Sequence, residues 1–147
     1  MAGSGSNFVL DKGFLVLSTY NSSAAAGVLA FRCVKADTVT GVIDLNATAT
    51  VANIGVVQEP VDQVKVATGK VVADVRVLGI SKVRVSDTPG AIVIGSKVAA
   101  SGTAGNAGGV KLAVATNIPL GICVGLTGTV AAGDLIDVLL TPGMPVL

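Results

Sequence analysis

Apolar and polar residues alternate over many short stretches of this chain. Val64-Lys65-Val66, Asp74-Val75-Arg76-Val77-Leu78, Lys82-Val83-Arg84-Val85 and Asp137-Val138-Leu139 all show the pattern. Val75, Val77, Val83 and Val85 would face one way while Arg76 and Arg84 face the other, which is the signature of a half-buried sheet. A Gly or a Gly-containing turn interrupts the pattern every dozen residues or so. That spacing predicts an all-β sandwich or barrel of short strands rather than βαβ units. Strands are expected near residues 8–10, 14–20, 28–35, 40–45, 54–58, 71–78, 82–86, 97–100, 110–114, 120–126 and 135–140. Residues 60–69 fit either a turn of helix or a loop.

The turns have identifiable chemistry. Asp87-Thr88-Pro89-Gly90 reads as a loop between strands. The run Ser101 to Gly109 holds only Gly, Ala, Ser, Thr and Asn and predicts an exposed hairpin tip. Ala132-Gly133-Asp134 precedes the last strand. Thr141-Pro142-Gly143-Met144-Pro145 ends it, because two prolines cannot continue a ladder.

A weak echo runs through the chain. Asn53-Ile54-Gly55-Val56-Val57 resembles Asn117-Ile118 followed by Gly121-Ile122-Cys123-Val124. Gly69 and Asp74-Val75-Arg76-Val77-Leu78 resemble Gly133 and Asp137-Val138-Leu139-Leu140. The offsets are 66 residues from Gly55 to Gly121 and 63 from Asp74 to Asp137. Two similar β-lobes, about 28–80 and 81–147 within a β domain spanning 21–147, would produce this; so would chance matching within a Val/Ala/Gly-rich alphabet.

The aromatic residues are confined to one end. Phe8, Phe14, Tyr20 and Phe31 are the only ones, and all lie in the first 31 residues. They could fill one end of the core, the reading favoured for Phe31. They could instead anchor an extended N-terminal arm, residues 1–20, on a partner or a neighbouring subunit. Phe8, Leu10, Phe14 and Tyr20 are the candidate anchors. The Gly/Ser-rich leader, residues 1–7, is expected to be disordered unless a partner orders it.

Composition narrows the function. Val, Ala and Gly supply 65 of the 147 residues. Hydrophobic residues make up 51% and charged residues 13%, against about 25% charged in ordinary domains. The mean hydropathy of +0.78 would suit a membrane protein. The longest uncharged stretch, Leu112 to Gly133, nevertheless contains Asn117, Pro119 and four glycines, and reads as strands and turns rather than a spanning helix. No membrane partner is expected, and the N-terminus does not read as a secretory signal. A net charge of +1, spread along the chain, leaves no electrostatic footprint for nucleic acid.

Chemistry finds little to work with. The chain has no His and a single Glu, Glu59, so a Ser–His–acid triad, a Cys–His dyad and His metal ligands are absent. Thr68-Gly69-Lys70-Val71 lacks the first Gly and the hydroxyl of a phosphate loop. Gly102, Gly105 and Gly108 lack the strand and helix that a nucleotide site requires. Asp134 with Asp137, and Asp37 with Asp44, read as turn residues or edge charges that discourage aggregation. Asn21 and Asn46 head N-x-S/T sequons that matter only in a secreted eukaryotic setting. Cys33 and Cys123 read as two small buried hydrophobes, with a disulfide left open. No catalytic residue, cofactor or metal is expected.

Several stretches together resemble the small capsid decoration, or cement, proteins of tailed bacteriophages. They are Asn7-Phe8-Val9-Leu10-Asp11-Lys12-Gly13-Phe14, Gly55-Val56-Val57-Gln58-Glu59, Val75-Arg76-Val77-Leu78-Gly79-Ile80, Val93-Ile94-Gly95-Ser96-Lys97-Val98, Gly121-Ile122, and the closing run Gly133 to Gly143. Asn21-Ser22-Ser23-Ala24-Ala25-Ala26-Gly27 looks like an insertion relative to that pattern. The resemblance implies a β-rich, non-enzymatic protein on the outer surface of a phage head, made in the bacterial cytoplasm. It implies small homo-oligomers, a trimer favoured, that clamp neighbouring major capsid subunits. The alternative expectation is a β-rich binding module, such as a carbohydrate-binding head or fibre domain displayed on a particle.

Overall fold

Ten short strands and no helix make up the regular structure among the described residues of the computed structural model, which are 11–16, 29–36, 42–61, 72–102 and 107–141. They are β1 (Asp11–Val16), β2 (Cys33–Ala36), β3 (Val42–Leu45), β4 (Gly55–Val57), β5 (Val72–Arg76), β6 (Gly79–Arg84), β7 (Lys97–Ser101), β8 (Gly109–Leu112), β9 (Pro119–Gly125) and β10 (Leu135–Leu140). Each overlaps a strand expected from the alternation. The expected strand over 28–35 begins only at Cys33, because the chain turns at Ala30 and Phe31, where Phe31 takes a positive φ of 63°. β6 begins earlier than expected, at Gly79, whose φ of 89° lets the chain turn sharply out of β5. The expected strand at 8–10 and most of the ambiguous segment 60–69 lie outside the described residues. Leu112 to Gly133 resolves into the end of β8, turns and β9. No helix among the described residues is long and apolar enough to cross a membrane.

The strands form two sheets. The first is a closed barrel in the order β1-β3-β2-β4-β5. β1 closes it, running antiparallel to β5 and parallel to β3, with Leu15 opposite Val42 and Val16 opposite Ile43. The second has the order β6-β10-β9-β7-β8. Its two end strands meet only at a parallel bridge between Val85 and Val110. Advancing every strand number of the first sheet by five reproduces the order of the second, closing contact included.

The agreement extends to register. Val57 opposite Val75 recurs as Cys123 opposite Val138, and Val56 opposite Arg76 recurs as Ile122 opposite Leu139. Cys33 opposite Val56 recurs as Lys97 opposite Ile122, and Val34 opposite Leu45 as Val98 opposite Leu112. Asp11 opposite Arg76 recurs as Ile80 opposite Leu139. The closing pair Val16 and Ile43 recurs as Val85 and Val110. Hydrogen bonds outside the ladders repeat as well. The Phe31 N–H donates to the Val57 carbonyl and the Gly95 N–H to the Cys123 carbonyl, both at 2.7 Å. The Val57 N–H donates to the Arg32 carbonyl at 2.9 Å, and the Cys123 N–H to the Ser96 carbonyl at 2.8 Å. The chain therefore folds as two lobes built on one five-stranded plan.

Gly55 and Gly121 show why the echo survives in the sequence. A Cβ on Gly55 would collide with the carbonyl oxygen of Arg76, and one on Gly121 with that of Leu139. Arg76 and Leu139 are themselves counterparts. At this place in the plan the neighbouring backbone approaches too closely for any side chain, so both lobes carry Gly.

Each lobe has its own core. Val34, Ile43, Leu45, Val57, Val61, Ala73 and Val75 fill the first. Val83, Val85, Ile92, Val98, Ala100, Val110, Leu120, Cys123, Ile136, Val138 and Leu140 fill the second, together with Cys33 and Val56 from the first lobe. Val75 on one side, and Val83 and Val85 on the other, thus belong to different cores rather than to one sheet face.

Candidate functional site

The junction between the lobes is built from the outer face of β2 and β4. In these strands Val34 and Val57 point into the first barrel, so Cys33 and Val56 point out of it. Both are nevertheless fully buried, because the second lobe covers them. Polar contacts surround this apolar centre. Gln58 Nε2 donates to the Ser81 hydroxyl at 3.1 Å and to the Val56 carbonyl at 2.9 Å. Arg76 Nη1 donates to the Ile80 carbonyl at 2.9 Å. The Cys33 N–H donates to the Gly108 carbonyl at 2.7 Å, and the Arg84 N–H to the Phe31 carbonyl at 2.9 Å. Arg32 is buried and donates through Nη1 to the Ala107 carbonyl at 3.1 Å. Burial, and then the nearby Arg84, lower its pKa from the ordinary guanidinium value.

Part of the run expected as an exposed hairpin tip is found here. Ser101 pairs with Gly109 as a hairpin requires, but Gly108 and Gly109 are buried. A Cβ on Gly108 would lie 2.9 Å from Arg32 Cβ and 3.2 Å from Leu45 Cδ2. The absence of a side chain, which suggested an exposed tip, serves a close contact between lobes instead. Residues 103–106 lie outside the described set.

The polar candidates have structural partners. Asp134 Oδ2 accepts from the Ala131 N–H at 2.8 Å, which fixes the turn before β10. Asp137 pairs with Lys82 at 3.2 Å on the exposed side of β10 and β6, a contact worth little in solvent. Asn46 is buried, with Nδ2 donating to the Val51 carbonyl and to Asn53 Oδ1, both at 2.9 Å; its amide is committed to the loop before β4. Cys33 and Cys123 are free buried thiols. Burial pushes the Cys33 thiol up to about 12 and raises that of Cys123, so neither supplies a thiolate at neutral pH. Among the described residues no group of His, Cys, Asp and Glu could hold a metal ion.

Of the anchors expected from the sequence, Phe8, Leu10 and Tyr20 lie outside the described residues. Phe14 lies in β1, opposite Ala73 of β5. The segment expected as an arm, residues 1–20, thus includes Asp11–Val16, a strand hydrogen-bonded on both sides within the first barrel.

The alternation did not single out an exposed apolar face on the second lobe. On its outer side Ile80 of β6 stands opposite Leu139 of β10, and Leu139 opposite Ile122 of β9. Ile80 is 54% exposed and Leu139 39%, with Val124 exposed farther along β9. Lys82 and Asp137 form the next row. One signal was available: Leu135-Ile136-Asp137-Val138-Leu139-Leu140 is apolar on both faces, which a strand solvated on one side does not require.

No protein-family model matches the chain, and no curated protein matches it in sequence. Among solved structures it is similar to the head fibre gp8.5 N base of bacteriophage phi29. The likeness covers 90% of this chain and 94% of that one, with a TM-score of 0.56 and 14% identity. At that identity the likeness is one of fold. It spans both lobes.

Proposed function

We propose that this chain is a structural protein of a bacteriophage head, acting as a decoration or cement protein on the outer capsid surface. In this reading it has no catalytic role and needs no cofactor. It binds the major capsid protein and its own copies, a trimer being the favoured assembly. The observation that carries the reading is the fold likeness, over nearly the whole of both chains, to a phage head fibre base. The apolar outer face of the second lobe supports it further, since exposed apolar patches of this kind mark contact sites. Many weak contacts repeated across a lattice add up to firm attachment.

The same likeness favours a second reading, in which the chain is the base of a displayed fibre or binding module. One experiment separates them. The purified full chain is mixed with undecorated heads of the phage that encodes it, and both co-sedimentation and the heat stability of the heads are measured. A cement protein binds saturably and raises the temperature at which the heads rupture. A fibre base binds without raising it. Failure to co-sediment would sink both readings. The contribution of Phe8 and Leu10 is tested in the same assay by removing residues 1–10, which leaves β1 in the barrel. Loss of binding with the fold intact is the expected result.

A further inference from the structure

The second barrel is completed by a piece of the first lobe. β6 and β8 are joined at the Val85–Val110 bridge, with the Ser86 N–H donating to the Val110 carbonyl beside it at 2.8 Å. Next to that bridge, residues 31–33 hydrogen-bond to both sides. The Phe31 carbonyl accepts from the Arg84 N–H on β6, and the Cys33 N–H donates to the Gly108 carbonyl just before β8. Cys33, with Val56 opposite it on β4, joins the second core here. The same segment carries costs that oppose its placement. Phe31 has a φ of 63°, a conformation that strains a bulky residue. Arg32 is 3% exposed. Burial, and then the like charge of Arg84, disfavour its charged form, with Asp87 acting against them. Arg84 Nε is itself buried and has no hydrogen-bond partner among the described residues, a further cost of the folded arrangement.

We infer that residues 31–33 form a releasable closure of the second barrel, at which the two lobes part while each keeps its own strands. Backbone strain and a pair of like charges meet on one short segment, and strain gathered at one place marks the regions that switch. Burial of Cys33 and Val56 offsets these costs in the closed form. Parting the lobes relaxes Phe31 and separates the two guanidinium groups. It breaks few hydrogen bonds, because the ladders of both sheets lie elsewhere. The junction is therefore the seam that opens at lower cost than global unfolding. Opening uncovers the Cys33 thiol and the rim of the second core. The inference concerns motion within one copy of the chain, so it does not depend on what the chain attaches to.

The test is alkylation of Cys33 by iodoacetamide in the full chain. Cys123→Ala leaves Cys33 as the only thiol, and in the closed form it is buried. Labelling is followed at several urea concentrations well below the unfolding midpoint, and global stability is taken from the full urea curve. Labelling should be at least about tenfold faster than global unfolding allows, and nearly independent of urea because little surface is exposed. Arg84→Gln removes the like charge beside Arg32 and should slow labelling at least about threefold. Ile43→Val thins the first core, away from the junction. It lowers global stability, so labelling through global unfolding would speed up severalfold, whereas labelling through the junction stays unchanged. Far-UV circular dichroism confirms that the variants keep the β fold. Labelling no faster than global unfolding overturns the inference. So does labelling that rises with Ile43→Val, or that stays as fast or becomes faster with Arg84→Gln.

Discussion

The two lobes share one register and differ in how they are sealed. In the first, β1 closes the barrel through a two-residue parallel pairing with β3. In the second, the same closure shrinks to the bridge between Val85 and Val110, and residues of the first lobe complete the core. The outer faces differ in the opposite sense. The first lobe's is buried at the junction, whereas the second lobe's is open and carries larger apolar side chains. Backbone constraints are therefore common to both copies of the plan, and side chains follow what each face meets. Gly55 and Gly121 agree because a carbonyl leaves no room for a Cβ. Cys33 and Lys97 disagree because one is fully buried under the other lobe and the other is only half-buried.

The largest expected effect comes from exchanging residues at that last pair. Cys33→Lys places an ammonium in a fully buried site beside Arg32, with like charge near. A loss of about 4 kcal/mol or more is expected, the range for an uncompensated buried charge. Lys97→Ala, at the counterpart position, should cost less than about 1 kcal/mol, as for most surface positions. Urea unfolding of both variants checks the contrast. Equal costs would mean that the two faces are not differently covered, which breaks the comparison at its centre.

Next in size is the pair of glycines. Gly55→Ala and Gly121→Ala each force a methyl against a neighbouring backbone carbonyl, which cannot move aside as a side-chain tip can. Each should destabilise by about 3 kcal/mol, the upper end for overpacking. The informative quantity is the likeness of the two values under the same urea titration. If one substitution were tolerated and the other not, the shared register at β4–β5 and β9–β10 would have no energetic meaning.

Much of this plan was legible in the sequence, for reasons that differ by residue. Strand positions could be read because Val75, Val83, Val85 and Val138 alternate with polar neighbours, and alternation follows directly from the pleat. The duplication showed through at Gly55 and Gly121, where geometry permits a single residue type. Asp74 and Asp137 added to it, as counterparts on the outer side of β5 and β10. The rest was hidden because alternation separates the two sides of a strand without saying what lies beyond either. Cys33 and Val56 point out of their barrel and are buried all the same. Gly108 reads as a flexible tip and is a packing contact. The apolar row of Ile80, Ile122 and Leu139 gathers residues from three strands, so no single window of sequence contains it. Phe8, Leu10 and Tyr20 lie outside the described residues, and for them the sequence reading stands by itself.

The smallest expected effect tests the turn that leads into β2 and β7. Phe31 and Gly95 are counterparts there, each donating its N–H to a carbonyl of the adjacent strand at 2.7 Å. Both have positive φ, 63° for Phe31 and 91° for Gly95. The first lobe therefore holds a bulky residue in a backbone conformation that ordinarily favours Gly, and tertiary contacts must offset the strain. One such contact crosses the junction, where the Phe31 carbonyl accepts from the Arg84 N–H. Gly95 has no comparable constraint on its side chain, since a Cβ there would meet nothing within 4 Å. Gly95→Ala should thus expose the backbone cost alone, about 1 kcal/mol. For a chain of this length that is a fall of about 3 °C in Tm. Because the site is open, any larger loss has to come from the turn itself giving way. A variant as stable as the wild type would show that the turn into β7 does not need its left-handed residue. The match between Phe31 and Gly95 would then be one of position without a shared conformational demand.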